Sequence, residues 1–306
     1  MPKAPSAAIS FPNGSLMNSA PTPDLSICGT PRLRFSLTRV GLLARHTFLA
    51  AVRQRVFGFL LVLAGALVGG SGFLREFNFG ASELRFLTDL GLGALVCFGS
   101  ILTIVVTAQL FCGELEHRTA LTVLAKPVLR SEFVAGKFLG AWMVTGVFCA
   151  VVIGLLCGLL WTRAQAIGAA DADGGPAELV RYGDVVLAGL LQWVKFGVLA
   201  AMTLLVATIA TSGLFAVALS FLVLAVCHLQ YLAQDAWSTG GSAAERIGGG
   251  LLGLLFPNFQ LFNLSELLAA GQPLEGALVG RVAVYGLAYG FVFLALAIGA
   301  FRRREL

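Results

Sequence analysis

Two groups of residues could do chemistry in this sequence: the few ionisable side chains set inside long apolar runs, and a knot of charges between positions 114 and 137. Lys195 lies inside an apolar run, three residues after Gln192. An ammonium there is costly, which points to a polar path or an interface between subunits, while its long stem also allows it to snorkel toward head groups. His228 with Gln230 and Gln234 could form a ligand group, although a lone His at an interface is more often simply hydrated or hydrogen-bonded. Ser100, Thr103, Thr107 and Gln109 fall within packing reach of a neighbouring helix, so interhelical hydrogen bonds are expected of them. Cys28, Cys97, Cys112, Cys149, Cys157 and Cys227 show no CxxC or CxH spacing, and all but Cys28 read as small buried hydrophobes. No HExxH, GxSxG or GxxxxGK[ST] occurs, and no pair of carboxylates lies within an apolar run, so the sequence predicts no catalytic residues, no metal site and no cofactor.

The scaffold that must hold these residues is set by composition. Apolar residues make up 58% of the chain, charged residues only 12%, and the mean hydropathy is +0.87. An ordinary soluble domain is roughly a quarter charged. The lipid bilayer is therefore the expected solvent. The net charge of +5 does not indicate nucleic acid, because the arginines cluster at the ends of apolar runs and build no basic face with interleaved aromatics.

Residues 1–31 are rich in Pro, Ser, Ala and Asn and are expected to be a disordered tail without a signal-peptide core. Residues 32–306 form the membrane domain. Over 33–55, Leu37, Val40, Ala44, Phe48, Ala51 and Val52 gather on one side of a helical wheel, opposite Thr38, Arg39, Arg45, His46 and Arg53. This predicts an amphipathic helix on the inner leaflet, where each Arg meets anionic head groups; the plain alternative is the first turns of a helix entering span one. Spans are expected at about 56–74, 90–113, 138–162, 185–208, 212–232 and 282–301, each able to cross about 30 Å of hydrocarbon at about 1.5 Å per residue. Gly65, Gly69, Gly91 and Gly93 read as close-packing sites. The fold class is thus an all-α polytopic bundle of six transmembrane helices.

Between the last two spans, the apolar run 247–256 is stopped by Pro257 and Asn258 and followed by a second short stretch at 262–270. Neither is long enough to cross, so re-entrant or interfacial helices are expected. With six spans and both termini in the cytoplasm, the inner segments hold fourteen basic residues and the outer segments six, with Lys195 in neither set. That asymmetry favours this orientation.

The inner segment after the second span reads GELEHRTALTVLAKPVLRSEFVAGK. Charges stand at the membrane exit, an apolar patch with Leu121, Val123 and Leu124 follows, Pro127 breaks the helix, and Ser131 can cap the next one. On physics alone, a handle for a soluble partner and an ordinary positively charged loop are equally open.

The order Glu114, Glu116, Arg118, Thr119, Leu124, Pro127, Arg130, Glu132, Gly136 and Lys137 resembles the ABC-2 type permeases of ATP-binding-cassette transporters. The resemblance extends to the basic helix before span one, the six spans, and Pro257, Asn258, Phe262 and Asn263 before the last span. It implies a multi-pass permease subunit in the cell membrane, with no catalytic centre of its own, paired with a second permease subunit as homodimer or heterodimer. Two copies of a separate cytoplasmic ATPase would supply hydrolysis, seated on a coupling helix within 114–137. Export of an unidentified substrate is the usual role in such a family. An ATP-independent secondary transporter or channel, with Lys195 and the broken helix at Pro257 lining its path, is the alternative.

Overall fold

The computed structural model describes residues 36–71, 83–116, 129–170, 181–239, 250, 253, 255–264 and 276–303. They form seven long helices: α1 Leu37–Val52, α2 Arg55–Gly70, α3 Glu83–Glu116, α4 Arg130–Ala170, α5 Tyr182–Ile209, α6 Gly213–Thr239 and α7 Gly276–Arg303, with a 3-10 turn at Phe259–Phe262 and no strand among the described residues. The five helices from α3 to α7 are each long and apolar enough to cross a membrane. A sixth crossing arises if α1 and α2, bent by 62° at a short break, count as one.

The chain turns where side chains can take over lost helical bonds. α5 ends as Ala210 adopts an extended conformation, and the Ser212 hydroxyl accepts from the Phe215 N–H at 3.3 Å to start α6. α1 ends differently: Arg53 stays in the helical region, Gln54 alone is extended, and backbone bonds from the Arg53, Gln54 and Phe57 N–H groups carry the chain into α2.

α5 is the axis of the bundle. Of its most apolar stretch 72% is buried, against 22% in α6 and 28% in α7, so the latter two turn most of their surface outward from the bundle. It packs on α3, α4, α6 and α7.

α1 docks lengthwise on the start of α4. A side chain at Gly136 would meet Leu43 Cβ at 2.5 Å, and one at Gly140 would meet Thr47 Cβ at 2.5 Å and the Ala44 carbonyl at 2.8 Å. Residue numbers rise together along the contact, so the two helices run in the same direction. The docked face is Val40, Ala44, Thr47 and Ala51, while Arg45, His46 and Arg53 stay exposed. Leu37 and Val52, expected on the apolar face, are exposed, and Thr47 takes a place among the small buried residues because its hydroxyl donates to the Leu43 carbonyl at 2.8 Å.

Two other expectations change for similar reasons. Ser100 and Thr103 donate to the Val96 and Gly99 carbonyls of their own helix, each at 2.6 Å, and not to a neighbour. A hydroxyl on a helix has the carbonyl four residues back within reach and so needs no neighbouring helix to satisfy it. Of the four glycines, Gly91 meets Leu156 and Gly65 touches Leu155, but Gly69 and Gly93 have open space where a side chain would go.

Candidate functional site

Four chain segments converge at one end of the bundle: the start of α1, the end of α3, the start of α4 and the end of α7. Glu132, in the first turn of α4, is fully buried. Its Oε1 accepts from the Ser36 N–H at 2.7 Å, and its Oε2 accepts from the Leu129 N–H at 3.1 Å and faces Arg39 Nη1 at 3.6 Å. One carboxylate thus caps the first turns of two helices, where free N–H groups and the helix dipoles favour negative charge.

One turn along α4, Lys137 is 4% exposed and its ammonium donates to Glu114 of α3. Arg130 donates from Nη1 to the Arg302 carbonyl at 3.1 Å, which ties the start of α4 to the end of α7. Beneath these charges Phe111, Phe133 and Phe301 pack with ring centroids 5.5 to 6.1 Å apart, one from each of α3, α4 and α7. Lys137 is buried against these rings, 5.7 Å from the Phe133 centroid, while the Glu114 side chain stays partly exposed. Of the sequence-predicted residues, Glu114, Arg130, Glu132 and Lys137 therefore all make contacts at this end of the bundle. Glu116 ends α3, while Arg118, Thr119, Leu124 and Pro127 lie outside the described residues. Ser36 and the three phenylalanines are not marked by the sequence pattern, and Arg39 is marked only as part of the polar face of the amphipathic helix. The only signal for the phenylalanines is that each sits within a few positions of a terminal charge.

A second polar group lies deep in the bundle. Lys195 falls 13 residues after the start of α5 and 14 before its end, and is 1% exposed. At about 1.5 Å per residue its Cα is about 20 Å from either end. The amino group does not snorkel to an end of the helix. It lies 3.3 Å from His228 Nε2 on α6, and His228 Nδ1 lies 3.0 Å from the Leu224 carbonyl. A carbonyl can only accept, so Nδ1 carries the hydrogen, Nε2 presents its lone pair, and Lys195 donates to it.

The rotation of α5 that aims Lys195 at α6 is fixed from its opposite side. Trp193 stacks on Trp142 of α4 with centroids 4.8 Å apart, and Gly146 and Gly197 leave room for the two indoles. Residues two apart on a helix point to nearly opposite sides.

The 3-10 turn closes over Lys195. Phe259 and Phe262 are fully buried, the ammonium sits 5.5 Å from the Phe259 centroid, and the His228 ring meets Phe259 edge-on at 5.6 Å. Gln192 Nε2 donates to the Phe262 carbonyl at 2.9 Å. The turn is built by Asn258, whose side chain accepts from the Gln260 N–H at 2.9 Å and whose own N–H donates to the Tyr285 hydroxyl at 3.0 Å. The segment around Pro257 is thus inserted among the helices, with its backbone partly satisfied by side chains of α5 and α7. Among the described residues no three His, Cys, Asp or Glu side chains are close enough to hold a metal ion.

Residues 42–306, most of the chain, match the family model described as ABC-2 family transporter protein. No curated protein matches the chain.

Proposed function

Because the chain belongs to the ABC-2 family of transporter membrane proteins, whose transmembrane subunits lack an ATPase domain, we propose that it is an exporter permease driven by a separate cytoplasmic ATPase. Two ATPase copies serve a dimer of permease subunits, and the segment between α3 and α4 is where the ATPase pushes. Glu114, Glu116, Arg118, Thr119, Leu124, Pro127, Arg130, Glu132 and Lys137 make up this coupling segment and its anchors.

The observation that carries this reading is the fastening at both ends of the segment. Glu114 and Lys137 join α3 to α4, Glu132 joins α4 to α1, and Arg130 joins α4 to α7. A displacement of residues 117–128 is therefore delivered to four helices at once, as a coupling element needs. The excess of basic residues in the sequence segments assigned to the inner side supports a cytoplasmic setting for the coupling segment and for both termini.

Affinity purification of the full chain in mild detergent should recover an ATPase subunit, and the reconstituted complex should move substrate only with hydrolysable ATP. Transport that persists after ATP depletion would overturn the proposal in favour of an ATP-independent carrier.

A further inference from the structure

We infer that Lys195, with Gln192 and His228, forms a mid-membrane site for a carboxylate or phosphate group, stoppered by Phe259 of the 3-10 turn. The inference rests on the permease reading for its role in transport, but not for the binding itself.

A buried ammonium in a bilayer-spanning bundle needs an anion, a dipole or a path to water. Here its hydrogen-bond partner is a neutral imidazole whose second nitrogen is already committed to Leu224, and the Cys227 thiol close by carries no formal charge. Imidazole supplies one lone pair, and the Phe259 ring supplies a quadrupole; neither neutralises a charge. Among the described residues no carboxylate faces Lys195. The neighbouring Gln192 is 3% exposed, gives its amide N–H to the Phe262 carbonyl, and leaves its Oε1 without a hydrogen-bond donor among the described residues. Such an acceptor suits a hydroxyl on the same ligand, so the group holds one cationic donor and one idle acceptor on the same face of α5.

Phe259 covers this group from the side of the connection between α6 and α7, opposite the Glu114 and Lys137 end. Side chains of two helices hold the cover: the Gln192 amide donates to the Phe262 carbonyl, and the Tyr285 hydroxyl accepts from the Asn258 N–H. Withdrawal of one aromatic ring exposes the ammonium without unwinding a spanning helix. An anionic head group then replaces the ring over Lys195, while its apolar part lies against the neighbouring helices.

The test uses the purified full-length chain in detergent, with no ATPase and no nucleotide. Octyl phosphate, octyltrimethylammonium and octyl glucoside are titrated in parallel, and thermal unfolding and tryptophan fluorescence are followed. Octyl phosphate alone should stabilise the protein, and Lys195→Met should weaken its apparent affinity by at least about tenfold. Equal response to all three amphiphiles, or unchanged affinity in Lys195→Met, would overturn the site. Methionine is of similar length and apolar, so the variant is suited to a buried position. Phe259→Ala keeps the ammonium and removes the stopper; it should tighten octyl phosphate by about tenfold, because the ligand no longer displaces a ring. Unchanged or weaker binding in that variant would remove the stopper from the proposal. Since the titration contains no ATPase, it can succeed while recovery of an ATPase partner fails, and the reverse, which separates the two conclusions.

Discussion

Trp142 and Trp193 exchange hydrogen bonds: each indole N–H donates to the other residue's backbone carbonyl at 3.0 Å, across antiparallel helices α4 and α5. Each ring lies over a glycine four residues along the opposite helix, Trp193 over Gly146 and Trp142 over Gly197. The sequences WMVTG and WVKFG are thus the two halves of a local two-fold clasp.

Replacing either tryptophan by phenylalanine removes one indole bond and keeps most of the stack, so Trp142→Phe and Trp193→Phe should each cost about 0.5 to 1.5 kcal/mol. The double variant should depart from the sum of the two, because the rings share one contact. Reversible unfolding in detergent micelles, read as a double-mutant cycle, checks this. Strict additivity would mean that the two bonds do not depend on each other.

Glu132 should be far less tolerant than the partner facing it. Glu132→Ala leaves the Ser36 and Leu129 N–H groups without their carboxylate and should destabilise by about 3 to 5 kcal/mol. Arg39 is 37% exposed at its side chain, and Arg39→Ala should cost at most about 1 kcal/mol. Glutamine at 132 can accept through one oxygen but turns its amide N–H₂ toward the other donor, so an intermediate loss is expected. Protease cleavage within α1, compared across the three variants, gives the order.

Breaking the Glu114 and Lys137 pair from one side strands the other charge. Lys137 is the more buried, so Glu114→Gln should destabilise the chain more than the pair removed together as Glu114→Gln with Lys137→Met. If the pair transmits force from the ATPase, the double variant should recover stability but not transport, while ATP hydrolysis continues. Restored transport would limit the pair to a structural role.

Gly140 and Gly93 separate contact from composition. Gly140→Val would drive a methyl into Thr47 and the Ala44 carbonyl and should release α1 from α4, visible as loss of a disulfide engineered between the two helices. Gly93→Ala meets nothing within 4 Å and should be neutral or stabilise by up to about 1 kcal/mol. A destabilised Gly93→Ala would point to a contact with another subunit.

What the sequence determined by itself follows from solvent. Long runs without charge cannot stay in water, and in lipid the backbone must satisfy its own hydrogen bonds, so the all-helical bundle is read from composition and run length. The order of Glu, Arg, Pro, Glu and Lys between 114 and 137, together with the basic helix, the spans and the segment at Pro257, carries the resemblance to the family, because each rests on local succession. Side chains that meet across the fold were another matter. Ser36 and Glu132 are 96 positions apart, Lys195 and His228 are 33 apart, and the Trp142 and Trp193 bonds span 51. Helical periodicity says which face a residue occupies, but not which helix covers that face. Only packing, set by glycines that let α1 reach α4 and α4 reach α5, buried Glu132, turned Lys195 inward and placed Phe259 above it.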